Sequence, residues 1–271
     1  MRKLIFILIM LLPILMSCVE DEDKVIHTDS PTEAVSLFSI SKDWGESLYF
    51  AMISWEEYHL IDTVGLPSCP EIILDQDSKQ VTLHFRGASA CVQSGAYARR
   101  GKLIIKFDTI VQSPTKKWTM EYEDYSFESN AITGIRTFAS NSPNQVSEDF
   151  TKIIEKTENE LRTKFSGKFI HTKAYINNTL TSFTSLGRIK GVNAVGRDFE
   201  ITIDSPVKHI ISCYQQNEIL PNTGKENWFV SRGGNSEVNY TTTYEPLLAD
   251  CKVAVNSILP DGRKLLLNPS D

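Results

Sequence analysis

One strand constrains what the rest of the chain can build. At 118–123, Trp118, Met120 and Tyr122 alternate with Thr119, Glu121 and Glu123, which puts apolar side chains on one face and polar ones on the other. Such a strand needs a core on one side and water on the other. Further strand-like runs stand at 71–74, 80–85, 102–111, 117–127, 132–138, 169–176, 183–189, 199–203, 207–214, 228–231, 238–244, 252–258 and 264–267. Turn chemistry separates them, as in Asp75-Gln76-Asp77-Ser78-Lys79 and Gln112-Ser113-Pro114-Thr115. Many short strands punctuated in this way predict an all-β fold, mainly an antiparallel meander or sandwich. The segment 148–164 is ambiguous, because Phe150, Ile153, Ile154, Thr157 and Leu161 also fit one helical face. The β region 67–271 therefore has room for two subdomains dividing near 140–168.

Ahead of the strands, 41–66 reads as a helical segment. Ser41 or Asp43 can cap it, Leu48, Met52 and Trp55 follow at spacings of four and three with His59 beyond, and Glu46, Glu56 and Glu57 enrich a polar side. The expectation is a short helix over 43–60, ended by Gly65-Leu66-Pro67. Residues 18–40, with Glu20, Asp21, Glu22 and Asp23 near their start, carry no periodic apolar pattern and read as an acidic tether.

The first eighteen residues bear on location. Arg2 and Lys3 precede a nearly unbroken apolar run at 4–15, and Leu15-Met16-Ser17-Cys18 closes it. A membrane-spanning helix needs about 20 apolar residues and this run has about 12, so 1–17 fits a cleaved signal peptide. The order Leu-x-Ser-Cys resembles the lipobox of bacterial lipoproteins, which implies that Cys18 becomes the first residue and carries acyl chains such as palmitate. At roughly 0.8 kcal/mol per buried CH₂, two or more chains hold a protein on a bilayer stably. The expected partner is thus a lipid bilayer, reached through acylated Cys18. The acid run after it resembles a surface-export signal of some Gram-negative lipoproteins, or is a solvated tether.

Removing residues 1–17 takes away Arg2 and Lys3 and no acid, so the net charge of −6 becomes −8. That balance argues against nucleic acid as a partner, and Arg99-Arg100 and Lys116-Lys117 read as isolated basic pairs flanking strands. With Cys18 assigned to lipid, Cys69, Cys91, Cys213 and Cys251 remain, an even number that suits an oxidising compartment. Pairing Cys69 with Cys91 and Cys213 with Cys251 brackets two short antiparallel segments, and loop closure gives about 3 and about 4 kcal/mol for them. No C-x₂-C spacing suggests zinc.

Several of these blocks resemble a family of uncharacterised β-rich outer-membrane lipoproteins of Gram-negative bacteria: Cys69-Pro70 opening a hairpin, Arg99-Arg100-Gly101-Lys102, Thr133-Gly134-Ile135-Arg136-Thr137, and Asp250-Cys251-Lys252-Val253. The likeness implies an outer-membrane location, with the cell surface as one option, and strands at 148–164. It implies no activity. Tyr244-Glu245-Pro246-Leu247-Leu248-Ala249 replaces a Gly-rich turn of that pattern before Cys251.

No assembled catalytic set is legible. His27, His59, His84, His171 and His209 are scattered, lack metal spacing, and read as surface or sheet residues. Thr184-Ser185-Leu186-Gly187 lacks the first glycine of a nucleophile elbow. Glu121, Glu123 and Asp124 form the nearest acid cluster, but alternation puts the two glutamates toward solvent. The expectation is a non-enzymatic envelope protein, structural or binding, that needs no cofactor or metal. Trp118, Tyr122 and Trp228 are the candidate rings for a surface glycan-binding module, against the alternative that they are core anchors. A third reading is a pilus or fimbrial subunit pairing with another envelope protein. Asp62-Thr63-Val64 and Asp108-Thr109-Ile110 resemble a three-residue O-glycosylation signal of some Gram-negative periplasms.

Overall fold

The computed structural model describes residues 30–87, 97–109, 115–234, 236–248 and 251–269. Within them the chain is all-β behind a helical N-terminal piece. The strands are β1 Glu71–Asp75, β2 Gln80–Arg86, β3 Arg99–Phe107, β4 Lys116–Phe127, β5 Asn130–Ser142, β6 Gln145–Lys156 and β7 Arg162–Ile176. They continue as β8 Thr179–Val192, β9 Asp198–Ile210, β10 Thr223–Gly233, β11 Ser236–Pro246, β12 Val253–Ile258 and β13 Lys264–Leu266. Each pairs antiparallel with its successor, so spatial order equals chain order in one thirteen-stranded meander.

The ambiguous segment 148–164 forms β6 and β7, a hairpin closed by Thr157 N donating to Leu161 O at 3.0 Å. The sheet therefore runs unbroken through the region where two subdomains were expected to divide. The two runs expected at 199–203 and 207–214 fuse into β9, and the end of the second becomes a short helix at Ile211–Gln215.

Among the described residues three α-helices precede the sheet: α1 Ser30–Gly45, α2 Leu48–Met52 and α3 Trp55–Tyr58. The Ile211–Gln215 helix is α4. The expected boundaries change here, since α1 begins well inside the segment read as tether and the expected 43–60 helix is broken at Glu46-Ser47 and at Ile53-Ser54. The exposed face of α1 is narrow, Thr32, Val35 and Ser36, and includes an apolar residue, so no clear polar stripe betrays the helix. In α1, Ala34, Leu37, Phe38, Ile40, Ser41, Asp43 and Trp44 are all buried. A capping box starts α3: Ser54 Oγ accepts from Glu57 N at 3.2 Å and Glu57 Oε2 accepts from Ser54 N at 2.7 Å.

The sheet curls around this helical piece. The nine strands β3 to β11 would span roughly 38 Å if flat, whereas a helix with its side chains is only about 10–12 Å across. Yet residues 33–47 touch Arg99 in β3, Tyr122 in β4, Arg136 in β5, Glu148 in β6, Phe169 in β7 and Tyr240 in β11. Bulges supply the bend, with register shifts at Arg100/Lys102, Tyr122/Tyr125, Thr133/Thr137 and Phe150/Ile153. At the first of these Gly101 has φ +83°, and a β-carbon there would collide with the Asp124 carbonyl of β4. Gly134, at φ +130°, sits where a β-carbon would stand 2.6 Å from Lys152 O of β6.

Among the described residues the sheet does not close, and its edges are short. Strand β1 has 5 residues and β13 has 3. Beyond β13, the Asn268 side chain continues the pairing, accepting from Val255 N at 2.7 Å and donating to Val253 O at 2.6 Å. Short edges of this kind resist pairing with another chain.

Candidate functional site

The concave interior holds charges as well as apolar side chains. Glu46, in the break after α1, lies beside Arg99, whose Nε donates to Glu46 Oε2 at 2.8 Å while Nη1 donates to Ser68 Oγ and Asn217 Oδ1, both at 2.9 Å. Both side chains of that pair are wholly buried. A second pair joins Arg136 of β5 to Glu148 of β6 at 2.5 Å, with Arg136 also donating to Ser47 Oγ at 2.7 Å and Trp44 O at 2.9 Å. Burial alone would raise the Glu148 carboxyl, but Arg136 and a hydrogen bond from His171 hold it below the usual range. These pairs fasten the α1–α2 break to the sheet from both sides.

Near the second pair, Ser185 Oγ is 2.8 Å from His171 Nδ1, and His171 Nε2 is 3.0 Å from Glu148 Oε2. Serine, histidine and glutamate stand here in the order of a nucleophile, base and acid. All three are buried, His171 and Ser185 completely, and His171 is packed against Trp44, Phe169 and Phe183. A substrate has no approach to Ser185 Oγ, so the cluster acts here as a brace for the Trp44 turn. His209 is similarly enclosed, with burial first and His171 second pushing it down to about 3, so it stays neutral.

A cleft of about 530 Å³ opens at the end of the helical piece farthest from Ser30. Met52, Ile53 and Trp118 form its floor, Trp55 and Phe107 one wall, and Tyr175 and Pro143 another. The rings of Trp55 and Phe107 lie 6.0 Å apart at 59°, and Phe107 stacks on Trp118 at 6.3 Å and 24°. Lys79, Lys116, Lys117 and Lys173 ring the opening, against the acids Glu56 and Asp108. Lys173 Nζ donates to Met52 O at 3.1 Å, and its pKa is lowered, by burial first and by the charge on Lys116 as well, with Glu57 acting the other way.

Of the two readings of Trp118, Tyr122 and Trp228, glycan platform or core anchors, their burial fits the second. Trp118, Tyr122 and Trp228 are 7, 6 and 0% exposed, because alternation turns them toward the helix. Trp118 Nε1 donates to Ala51 O at 3.0 Å, Tyr122 Oη stands 2.8 Å from Ser47 Oγ, and Trp228 Nε1 donates to Glu226 Oε2 at 2.7 Å. Of these three, only Trp118 reaches the cleft, as part of its floor. Arg99, read as a strand-flanking base, and His171 and His209, read as surface or sheet residues, lie in sheet strands with their side chains in the core.

Cys213 in α4 is bonded to Cys251 with Cα atoms 5.2 Å apart, as expected. Cys69 is also in a disulfide. Cys18, His27 and Cys91 lie outside the described residues. Thr63 is half-buried, its hydroxyl donating to Asp62 Oδ1 at 3.3 Å, while Thr109 is exposed and Ile110 lies outside the described residues. Sequence reasoning missed Trp55, Phe107 and Lys173 as neighbours, since they come from α3, β3 and β7 and no local motif joins them.

Fold and cleft together define an open antiparallel β-meander filled by its own N-terminal helices, with a basic, ring-lined opening at one end. No family model, curated protein or solved structure matches this chain. Among the described residues no helix is long and apolar enough to cross a membrane, and no group of three or more His, Cys, Asp or Glu side chains is placed to hold a metal ion.

Proposed function

We propose that this chain is a lipid-anchored, non-enzymatic binding protein of the Gram-negative outer membrane, held by acyl chains on Cys18 and presenting its cleft away from the bilayer. It would belong with the β-rich lipoproteins that its strand blocks resemble. The observation that carries the reading is the position of the cleft. The chain enters the fold at Ser30, where Glu33 is held by Arg232 at 2.5 Å and Arg197 at 3.3 Å, and the helical piece then crosses the interior to Met52 and Trp55 in the cleft. An anchor at Cys18 therefore tethers the opposite end, leaving the opening free for a ligand. The short edges β1 and β13 count against the fimbrial reading, which needs an edge that accepts or donates a strand.

Metabolic labelling with radioactive palmitate tests the anchor. The wild-type chain takes up label and sediments with outer membranes, and Cys18→Ala loses both properties. An unlabelled, soluble wild-type protein would defeat the proposal. A membrane-impermeant amine reagent that modifies Lys116 and Lys117 on intact cells places the cleft on the cell surface, and modification only after lysis places it in the periplasm.

A further inference from the structure

We infer that the cleft takes an acidic saccharide, a sugar chain bearing carboxylates, with its ring face laid on Trp55 and Phe107 and its acid group among Lys116, Lys117 and Lys173. This rests on the reading of the cleft as the binding site and adds the chemistry of what enters it.

Three observations point the same way. The first is an excess of positive charge, four lysines in the lining against the two acids Glu56 and Asp108. Lys116 and Lys117 are exposed, and they and Lys79 make no ion pair among the described residues, although the protein as a whole is acidic at −6. Lys116 and Lys173 stand close enough for their charges to oppose each other. An anion between them would relieve that repulsion and add charge-assisted hydrogen bonds. The second is surface: the half-buried rings of Trp55 and Phe107 line the same space, and flat apolar faces of this kind suit the C–H side of a sugar ring, while the exposed Ser142 adds a hydroxyl on the rim. The third is depth. Met52, Ile53 and Trp118 close the floor at 1, 4 and 7% exposure, leaving an acyl chain nowhere to insert, so an anionic lipid fits poorly where a sugar chain lying across the opening fits well.

The test is a glycan array probed with the full acylated chain in detergent micelles, followed by titration of the hits at two salt concentrations. Hits confined to uronic- or sialic-acid glycans are expected, weakening as salt rises. The double variant Lys116→Ala/Lys117→Ala, exposed and unpaired and so without effect on the fold, is expected to lower affinity at least tenfold. Trp55→Ala is expected to lower it several-fold, and a circular dichroism spectrum and melting temperature matching wild type would establish that the double variant is folded. Hits on neutral glycans that Trp55→Ala abolishes would overturn the acid requirement while leaving the cleft as a binding site. No glycan hit, with phosphatidylglycerol vesicles bound in a Lys116- and Lys117-dependent way, would overturn the saccharide in favour of a lipid headgroup. No glycan or vesicle binding, with tryptophan fluorescence unchanged throughout, would overturn both the saccharide and the cleft's role.

Discussion

Removing one buried carboxyl should make the protein more stable, by an amount that grows as pH rises from about 4.5 to about 7 and is then constant. Asp43 of α1 and Glu155 of β6 share the amide of Asn130, which donates to Asp43 Oδ2 at 2.8 Å and Glu155 Oε1 at 3.3 Å. Burial raises both acids above their ordinary range; the charge on Glu155 lifts Asp43 further, while Lys42 pulls Glu155 partly back, leaving it at about 7. The folded chain thus holds a proton that the unfolded chain releases near the ordinary value of 4.5. For an acid raised in this way, the stabilising contribution is complete below the unfolded pKa, declines as pH climbs toward 7, and levels off above it. At 1.36 kcal/mol per pH unit, the interval from 4.5 to about 7 corresponds to about 3 kcal/mol. Glu155→Gln keeps the shape and abolishes the titration. Urea unfolding followed by tryptophan fluorescence should show the variant matching wild type at pH 4 and exceeding it by about 3 kcal/mol at pH 8. A difference that does not change with pH, or a variant weaker than wild type at pH 8, would refute the reasoning.

Other perturbations have equally definite outcomes. Arg136→Met strands Glu148 in the core without its partner and should cost about 3–5 kcal/mol in chemical denaturation, part of it recovered by adding Glu148→Gln. Opening the disulfide by Cys213→Ala/Cys251→Ala frees a loop with a sequence separation of 38 and should lower stability by about 4 kcal/mol, read as a fall in midpoint temperature. Gly101→Val forces a β-branched residue into φ +83° against the Asp124 carbonyl; a loss of at least about 2 kcal/mol is expected, with refolding yield and melting temperature as the measurements.

The sheet was legible because strand alternation is a local signal. Trp118, Met120 and Tyr122 were expected on one face, and they are buried together at 7, 0 and 6% exposure. Even the ambiguous hairpin at 148–164 follows the same rule once paired, its burial alternating through Glu148, Phe150 and Ile153. Helix α1 was not legible, for the opposite reason. Its polar residues Ser41 and Asp43 are buried as Leu37 and Phe38 are, so a rule that sends polar residues outward finds no pattern. Glu46 and Arg99 failed the same rule: each looks like a surface charge in sequence, and their mutual 2.8 Å contact, with hydrogen bonds from Tyr125 to Glu46 and from Arg99 to Ser68 and Asn217, makes their burial tolerable. The cleft was beyond reach because Trp55, Phe107 and Lys173 become neighbours only after the sheet has curled.

Chain order and spatial order coincide throughout the sheet, which has a consequence for assembly. Most neighbouring strands can pair across a short turn as soon as the second arm exists, a process with little loop-closure penalty. The helical piece has no such local partner. Glu33 meets Tyr240 across 207 positions and Ser41 meets Tyr244 across 203, so the part made first is locked last. A nascent chain that stops short of β11 would keep its helices loosely held and the apolar lining of the growing sheet open to water, and any factor guarding the unfinished fold has that interval to cover.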